Sequence, residues 1–154
     1  MYLLFKVVHI FGVIAFLGNI ATGLFWHGHA WRTRDPKLLA HTMRGIIRAD
    51  RLFTTPGVLV IIAGGVAAAH AGRIPMLSTG WVLWTIVLFI LSGAIFGMRI
   101  APLQRQLLSL TDAQGAFDEM RYAQLAKQWR GWGMLAVALP VVGVVLMVLK
   151  PVLG

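Results

Sequence analysis

The sequence predicts an all-α, polytopic membrane protein, built as a four-transmembrane-helix bundle with cytoplasmic amphipathic helices. Hydrophobic residues make up 58% of the chain and charged residues only 12%, whereas soluble domains carry roughly 25% charged residues. Four apolar segments have roughly the 17–25 residues with which a helix crosses ~30 Å of hydrocarbon. Because backbone groups need internal partners in lipid, these segments are expected to be helical. The spans predicted for this single domain, residues 1–154, are 3–26, 52–71, 80–98 and 132–149.

The distribution of basic residues predicts the orientation of the chain. Most of the 14 Lys and Arg residues lie in the first and third connections between the apolar segments. By the positive-inside rule, both connections are cytoplasmic and both termini lie on the outer side. Clustered basic residues beside apolar segments favour membrane lipids over nucleic acid as partners. The absence of cysteine excludes disulfides, thiolate metal sites and cysteine nucleophiles.

Both cytoplasmic connections are predicted to contain helices. Asp35-Pro36 has the pattern of an N-cap followed by proline at the first helical position. Apolar and basic residues then alternate at helical spacing, which predicts an amphipathic helix along or out of the inner leaflet, continuing into the second span as far as Pro56. In the third connection, a polar turn is expected at 109–115 and a helix at 116–130.

Small and polar residues predict which helix faces pack against each other, since they permit close approach and hydrogen bonding in membranes. Gly93 and Gly97 form a Gly-x-x-x-Gly pair in the third span, which we interpret as packing within the bundle, with dimerisation left open. The inward face of the first span is predicted at Gly12, Ala15, Asn19, Thr22, Gly23 and Trp26, and that of the second at Asp50, Thr54, Gly57, Ile61, Gly64, Gly65 and Ala68.

His9 is the first candidate for chemistry, because an ionisable side chain in hydrocarbon needs a partner to offset its cost. One interpretation is a neutral histidine hydrogen-bonded to a neighbouring helix. The other is a cofactor site in which His9 ligates haem iron, with Asn19 on the inward face of the same span. His70 is the candidate second ligand because the predicted topology places it on the same outer side.

His27 and His29 lie at the inner end of the first span. Residues two apart diverge by about 200° on a helix, so these two imidazoles are not expected to share a metal ion. We expect them to contact lipid headgroups. The sequence also contains no His-x-x-x-His, Glu-x-x-His or paired-carboxylate motif of the kind that zinc and di-iron enzymes use.

A carboxylate between two guanidinium groups, Arg48, Asp50 and Arg51, is the remaining candidate site. Such a group can bind a lipid headgroup or another anion, with the carboxylate orienting the arginines. Alternatively, Asp50 pins the start of the second span while both arginines extend to headgroups. Thr54 and Thr55 can then bond to helix carbonyls left unpaired by Pro56.

The motifs Lys6-x-x-His9, Arg34-Asp35-Pro36 and Ala49-Asp50-x-Leu52-Phe53-Thr54-Thr55-Pro56 resemble the bacterial integral membrane proteins of the domain of unknown function 2269 family. The resemblance covers nearly the whole chain, although Arg51 stands where that family is expected to have tryptophan. It implies four membrane helices and a bacterial inner (plasma) membrane. More distantly, the layout is similar to haem-carrying membrane protoporphyrinogen oxidases and copper-resistance D proteins, a likeness that implies only His9 as a haem ligand.

Two hypotheses follow for the function. The first is a small redox protein that binds b-type haem or quinone within the bundle, using His9 as ligand or hydrogen-bond partner. The second is a non-enzymatic membrane protein: an accessory subunit, a lipid-binding protein or a small transporter that uses Arg48, Asp50 and Arg51. A second copy of the chain or a membrane protein is the expected macromolecular partner.

Overall fold

The computed structural model describes residues 1–112 and 116–153, and its regular elements are helical, which confirms the predicted all-α class. Two pairs of α-helices are joined end to end by short π-helical segments. The elements are α1 (Tyr2–Trp31), α2 (Pro36–Ala49), a first π segment (Asp50–Thr54), α3 (Thr55–Ala71), α4 (Gly80–Ile95), a second π segment (Phe96–Ile100), α5 (Ala101–Asp112) and α6 (Glu119–Leu149).

These elements form four long helices that are apolar enough to cross a membrane, as predicted. They contain 30, 36, 32 and 31 residues, and at 1.5 Å per residue each is longer than ~30 Å of hydrocarbon. The long helices are Tyr2–Trp31, Pro36–Ala71, Gly80–Thr111 and Glu119–Leu149. In the second, third and fourth of these helices, α2, α5 and the start of α6 respectively supply the extra length and extend the bundle.

The connections differ in two respects from the predicted ones. Asp35 caps α2 by accepting a hydrogen bond from the Lys37 backbone N–H at 2.8 Å, as expected, but the apolar face of α2 packs into the protein core. In the third connection, α5 continues to Asp112 through the first part of the predicted turn; residues 113–115 lie outside the described residues. The last helix begins only at Glu119, after the capping residue Asp118.

The two ends of the bundle bury apolar surface in different ways. At the charged end, α2, α5 and the start of α6 enclose a core that includes Leu39, Met43, Leu107 and Tyr122, all fully buried. Along the remaining length, many large apolar side chains are exposed, Phe11 among them at 67%. Lipid solvates such side chains, so helices there need little apolar contact with one another. The charged end therefore has a buried apolar core of its own, whereas the rest of the bundle exposes much of its apolar surface.

Both π segments end two residues before a proline. In the first, the Thr55 backbone N–H bonds to the carbonyl of Asp50, five residues back, and Pro56 follows. In the second, the N–H of Ala101 bonds to Phe96, and Pro102 follows. Proline removes one backbone donor and crowds the preceding turn, and the wider π turn is one way for a continuous helix to accept it.

Pro140, inside α6, is accepted in another way. Its missing N–H leaves the carbonyl of Ala136 without its partner in the helix. The Ser92 hydroxyl of α4 donates a 2.6 Å hydrogen bond to that carbonyl. Ser92 and Ala136 are both buried. The α4–α6 contact therefore satisfies a backbone group that lipid cannot satisfy.

Close contact between α1 and α3 depends on glycine. Gly12 lies against Ile61, Gly57 against Phe16, and Gly64 against the backbone of His9. The inward face predicted for the second span is thus largely confirmed, since Gly57, Ile61 and Gly64 are buried.

Two predicted packing faces are wrong in part. In α1, Ala15, Thr22 and Trp26 are exposed, and the buried line runs through Phe16 and His27 instead. A buried aromatic side chain fills the core better than the small residues chosen from the pattern. In the third span, Gly93 and Gly97 are exposed, and a Cβ at either would meet no atom within 4 Å. This Gly-x-x-x-Gly pair faces outward rather than into the bundle.

Candidate functional site

The carboxylate of Asp50 lies at the centre of a buried polar group that we call the Asp50 cluster, comprising Asn19, Asp50, Thr54 and Gln104. Asn19 Nδ2 and the Thr54 hydroxyl donate to Asp50 Oδ1 at 2.9 and 3.0 Å. Gln104 Nε2 donates to Oδ2 at 2.8 Å, and Asn19 also donates to Thr54 Oγ1 at 2.9 Å. Asp50 is only 8% exposed, so these neutral donors replace the hydration that a carboxylate otherwise requires.

Three of the four long helices build this cluster. Asn19 comes from α1, and Gln104 from α5, directly after the second π segment. Asp50 and Thr54 are the ends of the first π segment, which presents both side chains to the interior. The Thr55 hydroxyl also donates to the backbone carbonyl of Asp50 at 3.3 Å, as expected for a threonine beside Pro56, whereas the Thr54 hydroxyl bonds to the Asp50 side chain and to no backbone carbonyl among the described residues. The carboxylate thus belongs to one π segment, and its partner Gln104 lies four residues after the other; such segments are frequent at functional sites.

The fourth long helix reaches the cluster through Trp129. A cavity of about 20 Å³ is bordered by Asn19, Asp50, Gln104 and Trp129, with apolar side chains forming the rest of its wall. That volume is sufficient for one water molecule, and the wall offers it polar partners. Trp129 is 3% exposed, and its indole Nε1 is buried without a partner among the described residues.

The two arginines beside Asp50 in sequence do not join it in space. Arg48 and Arg51 are exposed, whereas Asp50 is buried. Among the described residues, Asp50 forms no ion pair with either of them. The arrangement separates an internal carboxylate from two surface guanidinium groups.

His9 is held between α1 and α3. Its Nδ1–H donates to the carbonyl oxygen of Ile61 at 2.8 Å, and Gly64 and Gly65 leave room for its backbone and ring. In the neutral imidazole with its proton on Nδ1, Nε2 is the nitrogen that can accept or ligate, and ligating imidazoles are commonly oriented by such a bond from the opposite nitrogen. The geometry of His9 thus fits two roles. One is an interhelical hydrogen bond alone, and the other is a hydrogen-bonded imidazole that also ligates haem iron.

The other candidate cofactor residues are not brought to His9. Asn19 lies ten residues further along α1, about 15 Å along the axis, and its amide serves Asp50. His70 is exposed in the last turn of α3, six residues beyond the Gly64 that contacts His9, a rise of about 9 Å. In the described part of the chain, no three His, Cys, Asp or Glu side chains are grouped to hold a metal ion.

His27 is buried rather than at the headgroups, so that expectation is wrong. It is 1% exposed, its Nε2 lies 3.0 Å from the Tyr122 hydroxyl, and its ring centroid is 4.8 Å from that of Trp129. It is buried because the start of α6 covers the end of α1, with Tyr122 and Trp129 packed against its ring. His29, two residues on, is exposed.

Gln104, Tyr122 and Trp129 were not identified as site residues from the sequence. Gln104 carries the only sequence signal among them, since it is a polar residue between Leu103 and Leu107 on the apolar side of α5, where all three are buried. An uncharged polar side chain on the buried face of a helix indicates a hydrogen-bond partner on another helix.

Four long apolar helices and internal polar contacts define an all-α integral membrane protein. More particularly, the chain belongs to the family described as predicted integral membrane protein (DUF2269), which matches residues 3–151. Neither curated proteins nor solved structures gave a match.

Proposed function

We propose that this protein is a small membrane transporter in which Asp50 takes up and releases a proton. One observation carries the proposal: side chains from three long helices converge on a single buried carboxylate. Asp50 is the ionisable member of its cluster, so proton exchange is the chemistry that the cluster can perform. Carboxylates at such positions are typical of ion pathways and proton relays.

A purely structural role does not explain why residue 50 is ionisable. An asparagine would accept the same bonds from Asn19 and Thr54, and the Gln104 amide could turn to donate or accept as required. It would also avoid the cost of a charge in a low-dielectric interior. The two π segments, one containing Asp50 and one preceding Gln104, offer helix turns that can change register when the carboxyl group changes protonation.

Proton movement through reconstituted protein tests this function. Liposomes containing a pH-sensitive dye receive an inside-negative potential from a potassium gradient and valinomycin. The native protein is expected to acidify the interior, and Asp50→Asn to slow acidification to the rate of protein-free liposomes. Thr22→Leu, an exposed change on α1, is the matched control and should acidify as the native protein does. Equal rates for native protein and Asp50→Asn would refute the proposal.

The proposed orientation places both termini outside a bacterial plasma membrane. It is supported by the charge distribution, since most Lys and Arg residues lie in the two long connections. In this orientation the extended end of the bundle, with Arg48 and Arg51 on its surface, faces the cytoplasm and anionic headgroups. Activity of a periplasm-dependent reporter fused after Gly154 tests the orientation.

A redox role with b-type haem or quinone is the second candidate, and it is favoured by the His9 geometry. The Nδ1–H···O bond to Ile61 fixes the ring and leaves Nε2 to bind iron or to accept a hydrogen bond from a quinol. His9 lines neither the 20 Å³ cavity nor the larger one between α1 and α6, so a cofactor bound to it would occupy neither of these two cavities. Haem would supply one-electron chemistry there.

A visible absorption spectrum tests the haem form of this candidate. Protein expressed with a haem precursor and purified in detergent is expected to show a Soret band. His9→Ala should remove or shift the band, whereas His70→Ala, with an exposed side chain on the other helix, serves as the histidine control. A native protein without a Soret band would exclude this form, and a band unchanged in His9→Ala would exclude His9 as the ligand.

A further inference from the structure

A cleft between the end of α1 and the start of α6 has a volume of about 230 Å³. Its wall combines two cationic side chains with an imidazole, an indole and small residues, namely His27, Gly28, Trp31, Ala123, Ala126, Lys127 and Arg130. We propose that this basic cleft binds the phosphate group of an anionic lipid headgroup.

The basic cleft carries two cationic side chains. Lys127 and Arg130 are three residues apart on α6 and therefore lie on the same side of that helix. Both are exposed, and within the described ranges neither takes part in an ion pair. Two cations at the rim of one cavity provide the charge that a phosphate requires.

His27 forms part of the wall of the basic cleft. Its Nε2 is next to the Tyr122 hydroxyl, and its Nδ1 is buried without a partner among the described residues. When the Tyr122 hydroxyl donates to Nε2, the proton of the neutral imidazole is on Nδ1. An acceptor oxygen bound in the cleft would satisfy this hydrogen, which otherwise carries the cost of a buried unpaired donor.

The size and position of the cleft favour a lipid over a soluble ligand. A volume of 230 Å³ is below the roughly 300–1,000 Å³ of pockets for drug-sized molecules, and it suits a compact headgroup. Phe25 and Trp26, which directly precede His27 on α1, and Met134, about one turn after Arg130 on α6, are exposed and can contact acyl chains. Basic pockets between membrane helices are known sites for phosphate-bearing headgroups.

Lipid titration followed by native mass spectrometry tests the proposal. Detergent-purified protein is titrated with phosphatidylglycerol, with phosphatidylcholine and with inorganic phosphate. We expect phosphatidylglycerol to bind most tightly, and Lys127→Gln/Arg130→Gln to weaken it about thirtyfold, the combined effect of two headgroup contacts. The matched control is Lys37→Gln/Arg121→Gln, which removes the same charge from exposed positions outside the cleft and should leave the affinity unchanged.

A second variant changes the shape of the cleft but not its charge. A Cβ at Gly28 meets no atom within 4 Å, so Gly28→Leu adds bulk at the wall of the cleft without a clash and is expected to reduce phosphatidylglycerol binding. Equal losses in the cleft and control double variants would overturn the proposal, as would native-like binding by Gly28→Leu. Inorganic phosphate binding as tightly as the lipid would overturn the assignment to a lipid.

Discussion

Asp50→Leu is expected to destabilise the folded protein by about 2–4 kcal/mol. The substitution removes the acceptor of the Asn19 amide, the Gln104 amide and the Thr54 hydroxyl. Each buried donor left unpaired costs about 1–3 kcal/mol in proteins, and interhelical hydrogen bonds in membranes average ~0.6 kcal/mol with a maximum near 1.7. Equilibrium unfolding in mixed SDS micelles measures the loss.

Two controls separate this effect from a general response to leucine or to the missing charge. Asp50→Asn keeps the shape and an acceptor oxygen, so we expect its stability to remain within about 1 kcal/mol of native. Thr22→Leu places leucine at an exposed position of α1 and should be neutral. If Asp50→Leu unfolds at the same SDS fraction as Thr22→Leu, the cluster does not stabilise the bundle.

Gly64→Leu is expected to separate α1 from α3 and to cost about 3 kcal/mol or more. A Cβ at this position would lie 3.0 Å from the backbone nitrogen of His9 and 3.1 Å from its Cα. Backbone atoms cannot rotate out of the way, so the helices must move apart, and overpacking of this kind typically costs about 1–3 kcal/mol, occasionally more. The His9–Ile61 hydrogen bond should be lost as well, which the same unfolding assay and hydrogen exchange at α3 measure.

Gly93→Leu is the matched control, because it makes the same change where a Cβ meets no atom within 4 Å. Its unfolding should resemble that of the native protein. Gly64→Ala should fall between native and Gly64→Leu, since it adds only the first carbon. Equal stability of Gly64→Leu and Gly93→Leu would show that the two helices do not require the close contact at Gly64.

The four spans were predictable because composition and length determine them. A helix in lipid must be long and apolar, and the four segments satisfied both conditions. The inward position of Asp50 and Thr54 was also predictable from the helical spacing within the second span. Their partner Gln104 was not, because it lies 54 residues away from Asp50 and is buried only as a result of the tertiary packing of α5.

The wrong assignments have physical causes as well. Indole rings favour the membrane interface, yet Trp129 is only 3% exposed, because the extended end of the bundle has a core of its own. His27 is buried for the same reason.

The hydrogen bond that Ser92 donates to α6 makes the association of α4 with α6 depend on Pro140. While α6 is inserted in lipid by itself, the Ala136 carbonyl opposite Pro140 has no backbone donor and no water. Docking of α4 supplies the Ser92 hydroxyl to that carbonyl, so helix insertion and helix association are coupled at this point. Pro140 therefore makes the association of α6 specific. A helix that places a hydroxyl at the Ala136 carbonyl, as α4 does with Ser92, gains a hydrogen bond that another apolar helix, or α4 in another register, would lack.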